Sequence, residues 1–153
     1  MLLDWHSHEG ELVPFVLKID CSDFEKFVKI LNGMATSKKM PEGYVNCTTL
    51  WMVNDNEEII GITNIRHKLN EQLHFYGGHI GYGVTPSMRN KGYATEMLKL
   101  AILEARKMGI QDIRMTCNSR NLASERVILK NGGIFDTEVD LEQGIREKCF
   151  WIK

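Results

Sequence analysis

HIGYGVTPSMRNKGYATEMLKLAILEARKM, residues 79–108, is the stretch that decides the fold. Its first part, His79–Val84, is short, β-rich and bounded by Gly77-Gly78, which reads as a strand. From Tyr93 to Met108 the period changes to helical. Ala94, Met97, Leu98, Ala101, Ala105 and Met108 share one face, and Glu96, Lys99, Glu104 and Lys107 lie elsewhere. Gly109 supplies a helix stop. A strand and a helix therefore meet across Thr85–Gly92. That junction offers unpaired backbone N–H groups at the positive end of a helix dipole, a site for an anion. Gly92 permits close approach to the backbone, and Arg89 and Lys91 bring cationic donors. The combination suits a pyrophosphate.

Three phosphate motifs compete for this loop. No Gly-x-x-x-x-Gly-Lys-Ser/Thr string occurs in the chain. Gly81-x-Gly83 opens a dinucleotide fingerprint, but Pro86 stands where the third glycine belongs. The pattern Arg/Gln-x-x-Gly-x-Gly/Ala is met by Arg89, Gly92 and Ala94.

Working outward, Ser22-Asp23-Phe24-Glu25 reads as a capping box, with Phe24, Phe27, Val28 and Leu31 at helical spacing behind it. Thr48–Val53 and Ile59–Arg66 are β-rich runs joined by the hairpin signal Asn54–Glu58. On the other side, Ile113, Met115 and Cys117 alternate with Arg114 and Thr116, which predicts a strand buried on one face. Asn121 can cap a helix through Lys130, stopped by Asn131-Gly132-Gly133. Two strands, Ile134–Val139 and Ile145–Ile152, flank a turn at Asp140–Gly144. The order predicts an α/β layer structure, an α+β mixed sheet, over residues 1–153 as one domain.

The bulk numbers agree with one globular domain. The chain has 153 residues, 43% hydrophobic and 25% charged. Its 19 basic and 20 acidic residues create no global field for nucleic acid or an acidic membrane. MLLDWHSHEG carries no apolar h-region, and Leu12–Leu17 is broken by Pro14 and too short for a span, so a cytoplasmic protein is expected. Cys21, Cys47, Cys117 and Cys149 are scattered and read as reduced thiols. His67, His74 and His79 lack a zinc spacing, so no metal is expected.

Residues 79–108, followed by IRMTCNSRNLASERVILKNGG at 113–133, resemble the two cofactor motifs of the GNAT superfamily of N-acetyltransferases. The likeness covers about Thr48 to Ile152. It is strongest to a branch of predicted acetyltransferases with an Arg-His-x-Leu-Asn strand end, here Arg66–Asn70. The resemblance implies a central, mostly antiparallel sheet flanked by helices. It also implies acetyl-coenzyme A as cosubstrate, and an amine on a small molecule or peptide as acceptor. The backbone of Tyr82–Val84 would pair with the pantetheine arm, and Arg89, Asn90, Lys91, Gly92, Tyr93, Ala94 and Thr95 would hold the pyrophosphate. Asn121, with Ser124 nearby, would meet the arm, although Asn121 reads equally as a plain helix cap. A homodimer is compatible with the resemblance.

Direct attack needs a base for the ammonium proton, a donor to the oxyanion near Val84 and an acid for the thiolate. The family's usual acid, a Tyr seven residues after the motif Asn, is Ile128 here. Tyr82 is the substitute candidate. For the base the candidates are His79, if a bulge at Gly77-Gly78 turns it, or water, with His67 and Glu96 behind them. Without an acid, an acetyl-coenzyme A-binding module with weak catalysis is the alternative. A hydrolase is disfavoured, since no Gly-x-Ser-x-Gly occurs. Relatives begin with a strand for which only Leu2-Leu3 or Leu12–Leu17 could serve, so that first strand is atypical or missing.

Overall fold

A computed structural model describes residues 4, 5, 12–141 and 144–153. Its elements are α1 (Phe24–Thr36), β1 (Cys47–Val53), β2 (Ile59–Arg66), α2 (Glu71–Phe75) and β3 (Ile80–Val84). Then come α3 (Tyr93–Lys107), β4 (Ile113–Asn118), α4 (Leu122–Lys130), β5 (Ile134–Asp140) and β6 (Arg146–Ile152). Where one mixed sheet was expected, the strands form two antiparallel sheets, β1-β2-β3 and β4-β6-β5. They meet where His79 N–H donates to Arg114 O at 2.7 Å. The cause is local. Gly77 (φ 109) and Gly78 (φ 57) turn the chain so that His79 addresses β4. A Cβ on Gly78 would stand 2.5 Å from Arg114 O, so only glycine fits.

Each helix sits where its apolar face finds a sheet. α3 buries Leu98, Ala101, Ile102 and Ala105 against Ile65, Ile80, Met115 and Phe150, which joins the two sheets through one core. α1 buries Phe27 and Leu31 on the opposite face of the first sheet, with Ile62, Val16, Leu17 and Trp5. The cap of α1 is Asp23, which accepts from Lys26 N–H at 3.0 Å. Ser22, expected there, donates instead to Asp20.

Two expectations change. Leu12–Leu17 makes no strand: Phe15–Lys18 is a 3₁₀ turn, and Leu2-Leu3 lies outside the described residues. The Val13-Pro14 segment lies against β3, and Gly81 and Gly83 make the room. A Cβ at Gly83 would come 2.1 Å from Val13 O, and one at Gly81 3.2 Å from Pro14. These two glycines serve packing and are no part of a dinucleotide motif. The second change concerns β4. Arg114, read as its solvent-facing residue, is fully buried. It is paired with Asp136, stacked 4.8 Å over Trp151 and bonded to His74 O of α2. The short helix α2 covers that face and was missed. Its only sequence signal is Asn70, which caps it through Leu73 N–H.

Candidate active site

β3 has one edge paired and one edge open. Arg66 N–H donates to His79 O and Thr85 N–H donates to Ile60 O, each at 2.8 Å, with Asn64 opposite Gly81 and Ile62 opposite Gly83 between them. In an antiparallel ladder the bonding alternates along the strand. The N–H and C=O groups of Ile80, Tyr82 and Val84 therefore point away from β2, into the gap between the sheets. Among the described residues β4 forms no ladder with β3. The gap is a wedge whose vertex is His79 and Arg114, and whose exposed backbone can accept an extended polar chain as an added strand.

The wedge opens toward the loop before α3. After the 3₁₀ turn Pro86–Met88, Arg89 is extended, Asn90 is left-handed (φ 62) and Gly92 is left-handed (φ 85). Alternating hands of this kind gather successive N–H groups into an anion-binding nest. Gly92 caps α3 without a side-chain acceptor, and its carbonyl takes the N–H groups of Thr95 and Glu96. The N–H groups of Tyr93 and Ala94, in the first turn, have no intrahelical partner. A Cβ on Gly92 would meet nothing within 4 Å, so the nest faces open space. Arg89 and Lys91 are exposed at its rim. Arg89 Nε also donates to Val84 O at 3.2 Å, tying the loop to the open edge of β3.

Across the wedge, Tyr82 reaches α4. Its hydroxyl lies 2.9 Å from Ser124 Oγ, and Asn121 Oδ1 accepts from Ser124 N–H at 3.0 Å. The structure thus brings Tyr82, Asn121 and Ser124 together. Burial pushes the Tyr82 pKa up to about 12, so at neutral pH this phenol is a proton donor and never a base. Burial likewise pushes the Cys117 thiol up to about 12, which keeps it unreactive as a nucleophile. Ile128, where the family's Tyr would stand, is fully buried in the shared core.

His79 is turned by the bulge, as its candidacy required, but toward β4. Its Nδ1 accepts Arg114 N–H at 2.8 Å while its own N–H bonds Arg114 O. That leaves the ring proton on Nε2 and no free lone pair. Burial, with Arg66 and His74 adding to it, drops the ring's pKa to about 4. Of the other two candidates, His67 Nε2 is bonded to Thr48 Oγ1 at 2.8 Å and Glu96 pairs with Lys99 on the exposed side of α3.

β2, the ladder partner of β3, carries two polar residues on the face turned away from α3 that the periodicity did not single out. Asn64 is fully buried: its Nδ2 donates to Thr49 Oγ1, and its Oδ1 has no hydrogen-bond partner. Arg66, two residues on, gives Nη1 to both Gly77 O and Gly78 O at 2.9 Å and stacks 5.9 Å over Phe15. The available signal was polar residues placed inside an apolar strand, IIGITNIR.

Comparison with known proteins gives the same picture. The model of the acetyltransferase (GNAT) domain matches residues 11–134. No curated protein sequence matches the chain. Among solved structures, a point variant of spermidine N-acetyltransferase SpeG from Vibrio cholerae superposes with a TM-score of 0.64 at 12% identity. The alignment covers 85% of this chain and 75% of that one. The yncA protein of Salmonella typhimurium, solved with its cofactor acetyl-CoA, gives 0.60 at 15% identity, covering 88% and 74%. At these identities the likeness to the two solved structures is one of fold.

Proposed function

Because the chain belongs to the GNAT acetyltransferase family, we propose that it moves an acetyl group from acetyl-coenzyme A directly to a primary amine of a small molecule or peptide. One observation carries the reading: a left-handed nest at the head of α3 lies beside the open edge of β3. The residues present fit the cosubstrate's two polar parts. The diphosphate would sit on the N–H groups of Lys91, Gly92, Tyr93 and Ala94, with Arg89 and Lys91 at its rim and Asn90 and Thr95 shaping the turn. The amide arm would pair with the gap-facing backbone of Val84 and Tyr82, near Asn121. Its thioester would then lie abreast of Gly81.

The amine nitrogen attacks the thioester carbonyl, a C–N bond forms, and the oxyanion takes a gap-facing N–H of β3. The C–S bond then breaks and the electron pair leaves on sulfur. Tyr82 donates to that sulfur, held toward it by Ser124. Its raised pKa keeps the proton on oxygen, so Tyr82 stabilises the thiolate by a hydrogen bond without giving up the proton, and the thiolate is itself a tolerable leaving group. The ammonium proton is lost to water, since the His79 lone pair is engaged and its ring too weak a base. His79 serves instead as the vertex that fixes the wedge.

Titration calorimetry with coenzyme A, followed by thiol release over a panel of amines, tests the reading. Binding with release on at least one primary amine is expected. A protein that binds no coenzyme A refutes it.

A further inference from the structure

On β2, the ladder partner of β3, the face that turns away from α3 holds the two polar groups described above: among the described residues, an amide oxygen with no donor and a guanidinium with no carboxylate. An orphaned acceptor buried as deeply as Asn64 Oδ1 carries a desolvation cost unless something donates to it. Its place is informative. Asn64 stands opposite Gly81 in the ladder, and Gly81, having no side chain, sets Pro14 rather than a β3 side chain beside it. Arg66 is the second group. A Cβ at Gly81 would lie 3.9 Å from Arg66 Nη1 and 3.2 Å from Pro14, so the guanidinium flanks the same spot. Burial lowers the pKa of Arg66, and no carboxylate is among the charges acting on it. Among the described residues no carboxylate forms an ion pair with it. Its partners are two neutral carbonyls and an aromatic ring.

The cosubstrate, as proposed above, occupies the α3 and α4 side of the wedge. An acceptor then enters from the side of Asn64 and Arg66. Residues two apart on a strand share a face and lie about 6.6 Å apart. That spacing suits one small molecule carrying both an amine and an anion. We propose that the acceptor is an amine bearing a carboxylate, an amino acid or a peptide-like analogue. Asn64 Oδ1 receives an N–H of the attacking nitrogen, and Arg66 pairs with the carboxylate. Pro14, 3.2 Å from a Cβ built on Gly81, is the wall at the Gly81 end of this site. A polyamine fits less well. The acidic hollow, about 390 Å³ and lined by Asp4, Glu57 and Glu58, lies at the far end of β3 beside Thr85–Met88, away from the vertex.

The inference rests on the acetyltransferase reading, and the test separates the two. Acetylation by the unmodified protein is compared for α-amino acids, for the same compounds as C-terminal amides, and for spermidine, with coenzyme A affinity measured by calorimetry. Amidation removes only the anion. It is expected to lower kcat/KM about tenfold or more, mostly through KM, the size of one charge-assisted contact. In Arg66→Gln the acid and amide should be used equally, with coenzyme A affinity unchanged. Equal use of acid and amide by the unmodified protein overturns the inference, and so does preference for spermidine. Either result leaves the acetyltransferase reading standing. Failure to bind coenzyme A removes both.

Discussion

His79 makes stability depend on pH in a way that one substitution isolates. In the folded chain its Nδ1 accepts Arg114 N–H, so protonating the ring breaks the bond that closes the wedge. Burial first, then the charge of Arg66 and the nearby His74, lowers its pKa from 6.5 to about 4. Between those values the unfolded chain binds a proton that the folded chain refuses. Stability is therefore complete above about pH 6.5 and declines as pH falls toward 4. Converted at 1.36 kcal/mol per unit and discounted for solvent screening of a partly exposed ring, the shift is worth on the order of 1–2 kcal/mol. His79→Asn supplies the control. Its Oδ1 sits where Nδ1 does and accepts the same N–H, yet it does not titrate. Urea unfolding from pH 7.5 down to 4.5 should show the parent losing stability faster than the variant, by about 0.5 kcal/mol per unit in mid-window. Carboxylates titrate in both proteins and cancel in the comparison. Parallel profiles would refute the vertex role assigned to this ring. A kcat profile of the parent with a base limb near the ordinary histidine pKa would likewise return His79 to catalysis.

Other perturbations probe the remaining parts. Gly92→Glu puts a carboxylate on a left-handed residue facing the nest, and coenzyme A affinity measured by calorimetry should fall about hundredfold or more. Tyr82→Phe removes the donor to sulfur: kcat should drop about hundredfold with KM for coenzyme nearly unchanged, while unfolding shows a loss of only about 1 kcal/mol. Gly83→Ala forces a Cβ onto Val13 O, which is backbone and cannot swing aside. Destabilisation of about 2 kcal/mol or more, with faster proteolysis before Pro14, is expected, and an unchanged Tm would contradict the packing described.

The fold was legible wherever a signal is local. α3 and its loop declare themselves through the shift of period at Tyr93 and the glycine at 92, and Asn121 marks the start of α4. The cap of α1 was misplaced by one residue because Ser22 and Asp23 are both good caps, and only the Asp20 side chain decides which is free. What could not be read depends on distant partners. Tyr82 and Ser124 were each singled out, but the bond between them spans forty-two positions. The lone pair of His79 is claimed by Arg114, thirty-five positions on. The Gly77-Gly78 turn that divides the sheets is local, but the strand it turns toward, β4, is not. Asn64 escaped, and Arg66 was noted only as part of a strand-end pattern, because strand periodicity ranks residues by hydropathy, and a polar group in a buried position appears only as an exception.

The seam at His79 and Arg114 is also placed as a fulcrum would be. The far end of β3 lies about 16 Å from it, at about 3.3 Å per residue over the strand. A small rotation at the seam would be magnified at that end, where Arg89 ties the nest to Val84. Asp136, which grips Arg114 from behind, touches neither the nest nor the open edge of β3. Loosening it should nonetheless weaken the hold on a diphosphate, an action at a distance delivered by leverage.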